Sequence, residues 1–309
     1  MTLPMNAFIL DAGSCEGCHP LTCTRSLGSF PVANRPLREL QAEQLTRGGL
    51  EVIACTPPPG TAGIFLAGNA WVGADALARL AACPVPTVLQ DEHGHALAWS
   101  NVTPELPHTG KTLSGGGDGF AILHAWDLLK LNEHIVGALD HDEIRGVLSA
   151  HANVEGHLLL GEGSRVLPGV FIEGNVVIGK NCKIGPNCYL RGSTSIGDGC
   201  HIGQSVEIKN TIILAKSAIG HLSYCGDSVI GEKVNWGAGT VVANLRHDGK
   251  THRSQVAGVL VDTGRRKFGT IMGDHVHTGI HTTIYPGRKF WPETSTRPGT
   301  IVEQDVLSG

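Results

Sequence analysis

The sequence predicts a mainly β protein whose C-terminal half is a parallel β-helix and whose first hundred residues form a small α/β unit. Three observations carry the β-helix. An aliphatic residue returns at every sixth position: Leu160, Val166, Ile172, Ile178, Ile184, Leu190, Ile196, Ile202 and Ile208. That period is neither helical nor a strand alternation, and it marks a repeat architecture. The residue after the aliphatic is often glycine (Gly161, Gly179, Gly185, Gly197, Gly203), as expected where the chain turns with positive φ. The fourth residue after it is small or β-branched (Ser164, Val170, Val176, Cys182, Cys188, Thr194, Cys200, Val206), which fits a narrow interior.

In chain order, residues 7–10 read as a strand and 36–47 as an amphipathic helix with proline at its start. Short strands follow at 51–54, 64–67, 87–90 and 96–99, the last two joined by the hairpin signal Asp91-Glu92-His93-Gly94. Strands alternating with a helix make residues 1–105 a small α/β domain. A linker follows at 106–150. Its Lys111-Thr112-Leu113-Ser114-Gly115-Gly116-Gly117-Asp118-Gly119 stretch reads as flexible, and 125–133 has apolar helical spacing. The β-helix domain is expected over 151–309. Its register slips by one between Ile208 and Ile213 and between Cys225 and Ile230, and continues through Trp236 and Val242. Residues from about 245 to 270 break the repeat as an ejected loop. It resumes at Met272, Thr278, Ile284, Phe290, Thr296 and Val302, giving roughly seven coils.

Composition agrees. The chain is 5% aromatic and holds 42 glycines, as a narrow helix with many tight corners requires. A net charge of −4 and a pI near 6.5 argue against nucleic acid as a partner. There is no apolar run of 18 residues and no positively charged start before an apolar stretch, so neither membrane insertion nor secretion is expected. Nine cysteines, an odd number, suit a reducing cytoplasm. Cys182 and Cys200 lie 18 residues apart at interior positions and are expected to stack one coil apart as a packed column of small residues.

The hexads resemble the left-handed β-helix of the hexapeptide-repeat acyltransferases, in which three hexads make one triangular coil. That resemblance supplies the handedness, against the usual right-handed rule for parallel crossovers. The front half, Ala7-Phe8-Ile9-Leu10-Asp11-Ala12-Gly13 with Pro20-Leu21-Thr22 and Phe30-Pro31-Val32-Ala33-Asn34-Arg35-Pro36-Leu37, resembles the opening of sugar-1-phosphate nucleotidyltransferases. In that family a glycine-rich loop, an Arg and a Lys hold the nucleotide phosphates and a later carboxylate binds metal. Here the loop reads Gly13-Ser14-Cys15-Glu16-Gly17-Cys18-His19, with Gly17 at the Arg position and Glu16 adding negative charge. Leu27 stands at the Lys position and Asn69 at the carboxylate, in a domain about half the usual length. The resemblance implies a truncated, Rossmann-like and chemically silent relative, with magnesium relevant only if it is active.

The strongest functional segment is His221-Leu222-Ser223-Tyr224-Cys225-Gly226-Asp227, followed by Asn235-Trp236-Gly237-Ala238-Gly239-Thr240 and Ala243-Asn244-Leu245-Arg246 with Lys250. It resembles the acetyltransferase domain of the bifunctional uridylyltransferase/glucosamine-1-phosphate acetyltransferases, over about 175–306. The resemblance implies acetyl-CoA as co-substrate, an amino-sugar 1-phosphate as acceptor, and a homotrimer with sites between subunits. It matches Arg191 and Lys209 to a sugar-phosphate clamp, Tyr224, Asn235, Asn244 and Lys250 to acceptor contacts, and the Ala238 N–H to an oxyanion donor.

The residues support this independently. Arg191 and Lys209, 18 apart, stack two cations on one column, suited to a phosphate. His221 breaks a glycine corner after Gly220 and, as an imidazole, is suited to take a proton from an attacking amine. Solvated corner charges and a surface histidine are the bland alternatives. Arg265, Arg266 and Lys267 form a basic run read equally as contacts for coenzyme A or sugar phosphates and as solvated charge. Trp291, in Phe290-Trp291-Pro292, replaces an expected Gly and would narrow the coenzyme A channel or stack on adenine.

Other classes remain. A sugar-phosphate binding or regulatory protein that has lost catalysis is the runner-up, and an active nucleotidyltransferase stands behind it. Cys15-Glu16-Gly17-Cys18-His19 fits the c-type haem pattern and with Cys23 a thiol cluster, but structural thiols are preferred where no export signal precedes them. Gamma-type carbonic anhydrases share the β-helix and bind zinc through three histidines, yet the spacing of His275, His277 and His281 does not match theirs. No metal ligand is assigned.

Overall fold

A computed structural model describes residues 5–13, 15–107 and 110–307; Ser14 of the glycine-containing loop lies outside them. Two compact units emerge. The first holds a six-stranded mixed sheet in the order Glu51–Val52, Asn6–Ile9, Gly63–Leu66, Ala96–Asn101, Thr87–Gln90 and Lys111–Ser114. The first three strands run parallel, the next two are antiparallel to their neighbours, and the last is parallel again. Alternation sorts the side chains. Ala7, Ile9, Ile64 and Leu66 are buried with the helices α1 (Leu37–Arg47) and α2 (Ala74–Ala81), and Phe8, Phe65, Val88 and Trp99 cluster on the other face.

Two features of this unit differ from the sequence reading. Lys111–Ser114, expected as a flexible link, is a strand in register with Thr87–Gln90. The nucleotidyltransferase-like stretch is also not contiguous: Glu16–Arg25 and Pro31–Asn34 belong to the second unit with residues 124–309. There Thr24 donates to Asp274 at 2.6 Å, Arg25 pairs with Asp274 and Glu232, and the Asn34 amide donates to the Ile196 carbonyl at 2.7 Å.

The second unit is a three-walled parallel β-solenoid with sheets of eight, seven and eight strands. Its first coil starts at Glu143–Ile144, eight residues ahead of 151, and the sheets count eight coils rather than seven. The sixfold aliphatics become inward columns, one per wall. On the first wall Leu160, Ile178, Ile196, Ile213, Ile230, Met272 and Phe290 stack rung on rung, all nearly fully buried. Each such side chain contributes on the order of 1.5–3 kcal/mol by leaving water. The outer face of this wall is covered too, with Ser195, Ile212, Val229 and Ile271 all buried, and helix α3 (Ala125–Gly137) packs there.

Of the five corner glycines only Gly185 carries the expected positive φ, at 93°. Gly161 and Gly179 do not; they are required because a Cβ on Gly161 would lie 2.5 Å from the Gly179 carbonyl of the next coil. Positive φ falls two residues later, at Gly163, Asn181, Gly199 and Lys216. Asparagine tolerates that conformation because its short amide bonds locally. The predicted column of small residues is a hydrogen-bond ladder. Ser164 Oγ donates to the Gly179 carbonyl at 2.6 Å, Cys182 Sγ to Gly197 at 3.1 Å, Cys200 Sγ to Leu214 at 3.1 Å and Ser217 Oγ to Gly231 at 2.8 Å. Burial pushes the Cys200 thiol up to about 12, so it stays a donor rather than a thiolate. The expected ejected loop is present as an antiparallel hairpin, Arg253–Val256 with Val259–Asp262. Among the described residues no helix is long and apolar enough to cross a membrane.

Candidate active site

The third wall carries most of the candidate residues, because its three-residue strands present two side-chain columns outward. Tyr189, Glu207 and Tyr224 occupy one column in successive coils, and Arg191, Lys209 and Gly226 the other. The stacking expected of Arg191 and Lys209 is therefore present. Each cation has a carboxylate. Arg191 Nε and a terminal nitrogen approach Glu207 Oε1 at 2.8 and 2.7 Å, and the guanidinium lies 5.2 Å from the Tyr189 ring centroid. Lys209 Nζ sits 2.9 Å from Asp227 Oδ2, and Asp227 is only 2% exposed.

Asp227 is the residue the sequence reading passed over. It accepts from Lys209, from Asn210 Nδ2 at 3.0 Å and from Asn244 Nδ2 at 2.6 Å. A carboxylate at neutral pH only accepts, so the Asn244 atom facing it is the amide nitrogen. The same nitrogen donates to Tyr224 Oη at 2.9 Å, which leaves Asn244 Oδ1 as the atom able to accept. Burial, then the charge of Asp227, pushes the Tyr224 phenol up to about 12, so it stays protonated through the neutral range. Gly226 permits this arrangement: a Cβ there would lie 2.4 Å from Tyr224 Oη and 2.7 Å from Asn244 Nδ2.

His221 ends the strand Ala218–His221 of the second wall, at the corner that leads into the third. It is exposed, and its carbonyl accepts from Gly239 N–H at 3.2 Å, which sets Ala238 on the same corner one coil on. The His281 ring packs against Gly239 beside them, within 2.6 Å of where a Cβ would stand. Within one chain, then, the candidates form two groups. His221 and Ala238 sit at one edge of the third wall and Arg191, Lys209, Tyr224, Asn244 and Asp227 along its strands and far edge. A three-residue strand, roughly 10 Å, separates the edges. Asn235 stands exposed on the neighbouring wall, beside Ala218 and His277 in register.

The loop residues are placed differently from expectation. Arg265 is bound to the Glu133 carboxylate of α3 through both terminal nitrogens, one of them at 3.1 Å, and Arg266 Nε donates to the Gly249 carbonyl at 3.1 Å. Lys267 and Lys250 are exposed. Trp291 is half-buried on the corner between the first and second walls, whereas His221 and Ala238 stand on that between the second and third. His275, His277 and His281 fall on a corner, a wall and another corner. Among the described residues no three His, Cys, Asp or Glu side chains are grouped to hold a metal ion.

In the first unit, a crevice of about 630 Å³ opens past the carboxyl ends of the parallel strands, lined by Asp11, Ser29, Arg38, Gln41 and Thr56 among others. Leu27, at the position matched to a phosphate-binding Lys, is buried, and the Asn69 carbonyl accepts from Ile122 N–H at 2.6 Å.

Comparison with known proteins finds relatives of this chain. Residues 172–287 match the family model described as GMPPB C-terminal domain. The chain is 40% identical over 202 residues to a bifunctional sugar-1-phosphate nucleotidylyltransferase/acetyltransferase of Sulfurisphaera tokodaii, covering 65% of this chain and 50% of that protein. It is 39% identical over 181 residues to the bifunctional protein GlmU of Methanococcus aeolicus, and 44% over 183 residues to that of Methanococcus maripaludis strain C7. Each of these matches covers 59% of this chain and 44% of the relative. The chain spans about half the length of the curated relatives it matches, and it is homologous to them.

Proposed function

We propose that this relative of the bifunctional nucleotidylyltransferase/acetyltransferases is a cytoplasmic, acetyl-CoA-dependent N-acetyltransferase acting on an amino-sugar 1-phosphate, in nucleotide-sugar or cell-envelope polysaccharide biosynthesis. The observation that carries it is the binding of Lys209 and Asn244 to Asp227, with Tyr224 held by Asn244 and Arg191 stacked one coil from Lys209 on the same wall. Arg191 and Lys209 hold the phosphate, exchanging Glu207 and part of Asp227 for its oxygens. Asn244 Oδ1 accepts from the acceptor amine and orients it, and Tyr224 binds a neighbouring hydroxyl. His221 takes the proton that nitrogen loses as it attacks the thioester carbonyl. The Ala238 N–H donates to the oxygen on which negative charge develops. Acetyl-CoA supplies the acetyl group. Its phosphates fall to the exposed Lys267 rather than to Arg265, which Glu133 already holds. The test is thiol release from acetyl-CoA with glucosamine-1-phosphate. Absence of release, with binding of the sugar phosphate intact, would leave a binding or regulatory protein.

His221 and Ala238 stand on the corner at one end of the third-wall strands, and Asp227 and Asn244 beyond the other end, so the complete site needs a second copy, as in a homotrimer. The first wall is already covered, while the third exposes Val241 and Ile301, at 41% and 62%, to an associating surface. Sedimentation at micromolar concentration is expected to give three times the chain mass, and a monomer would count against the shared site.

Nucleotidyl transfer is not expected from the first unit. That chemistry depends on cations and metal neutralising developing charge. Gly17, Leu27 and Asn69 supply none of it, and Glu16–Arg25 packs with the solenoid unit. Incubation with UTP, magnesium and N-acetylglucosamine-1-phosphate should yield no pyrophosphate above background. Release that is lost on deleting residues 1–105 would show this unit to be active.

A further inference from the structure

The outer column of the third wall continues past the acceptor residues in the direction of the first coils. Below Tyr224 come Glu207, Tyr189 and Phe171, in register and about 4.8 Å apart per coil. They line a shallow groove of about 540 Å³, with Leu222 and Val241 on its rim. Phe171 and Tyr189 meet edge to face at 5.5 Å between ring centroids, and both remain part-exposed on a wall that is otherwise polar at these coils. A half-exposed aromatic pair beside two stacked cations is an unusual use of surface if the acceptor ends at its phosphate.

We propose that the groove is a nucleotide subsite and that the acceptor class includes a nucleoside-diphosphate-linked amino sugar. This rests on the acetyltransferase reading and extends the same site. Two adjoining columns of the wall together supply the groups such a ligand requires. Tyr224 and Asn244 stand where the amino sugar lies. Lys209 and Arg191, in the next two coils, span the two phosphates. Glu207 shares the coil of Lys209 and stands between Tyr224 and Tyr189 in the adjoining column. Both Arg191 contacts fall on Glu207 Oε1, leaving Glu207 Oε2 to accept from ribose hydroxyls. Phe171 with Tyr189 then offers the face on which a base stacks, an interaction that tolerates different bases because every base has a π-face.

The experiment compares glucosamine-1-phosphate with UDP-glucosamine as acceptors, following thiol release from acetyl-CoA, in the native protein and in Phe171→Ala. Phe171 touches none of the residues assigned to phosphate or amine. The native protein should show a KM for UDP-glucosamine about tenfold below that for glucosamine-1-phosphate, and Phe171→Ala should bring the ratio of the two towards one. Equal KM values in the native protein, or a ratio the substitution does not move, overturn the proposal while the acetyltransferase reading stands. If neither acceptor releases thiol, that reading falls. Calorimetric binding of UDP, present in the native protein and weakened at least tenfold in Phe171→Ala, would then still support the subsite, and no binding of UDP would overturn it.

Discussion

His221→Ala should lower acetyl transfer by ~10²–10⁴ in kcat while leaving acetyl-CoA binding intact. The imidazole is exposed on its corner and carries none of the solenoid's core packing, so its loss should not unfold the protein. An amine that attacks a thioester must shed a proton, and the group that takes it acts only on the way to the transition state. Its removal therefore appears in kcat rather than in ground-state binding. Arg191→Ala should behave in the opposite manner, raising the KM for the sugar phosphate more than it lowers kcat, because a phosphate clamp binds ground and transition states alike. Near-normal turnover without His221 would remove it from the mechanism and leave bulk water to take the proton.

The solenoid was legible because its constraint is local and repeated. One inward aliphatic per wall per coil leaves a sixfold signature, and the loop that breaks it, a hairpin in the structure, was legible for the same reason. What escaped was fixed by contacts distant in sequence. Lys111–Ser114 looks like a link because five following residues are rich in glycine, yet its backbone is claimed by the edge of Thr87–Gln90. Helix α2 had an adequate signal, Gly73 followed by a run of Ala and Leu, which was not read. The corner glycines were recognised but, Gly185 apart, their reason was not: close approach of stacked coils is invisible to a single-coil argument. In the site, Arg191 over Lys209 follows from an 18-residue spacing. Asp227 does not, since the slip after Ile208 sets Gly226 beside Lys209 and leaves Asp227 one step beyond, on a corner with φ of 52° from which its carboxylate reaches Lys209. The pairing of Arg265 with Glu133, 132 residues apart, had no sequence signal at all.

Asp227→Asn is expected to cost activity on the order of 10²-fold in kcat/KM, about what a misplacement near 1 Å costs. The substitution keeps the shape of the side chain, and asparagine accepts the left-handed backbone that position 227 adopts, so strain does not confuse the result. Only the charge and one accepting oxygen are lost. Three donors, from Lys209, Asn210 and Asn244, converge on the carboxylate, and a carboxamide offers one oxygen and presents an NH2 to the others. At least one buried donor is left without a partner, a loss of ~1–3 kcal/mol in stability. Asn244 is the donor with most to lose, because its contacts to Asp227 and Tyr224 are what aim Oδ1 outward. The expected signature is a fall in kcat with the KM for acetyl-CoA unchanged, together with a modest drop in Tm. A drop in Tm with native kcat would show that Asp227 only holds the corner together. A change confined to the KM for the sugar phosphate would assign it to Lys209 alone and take the positioning of Asn244 away from it.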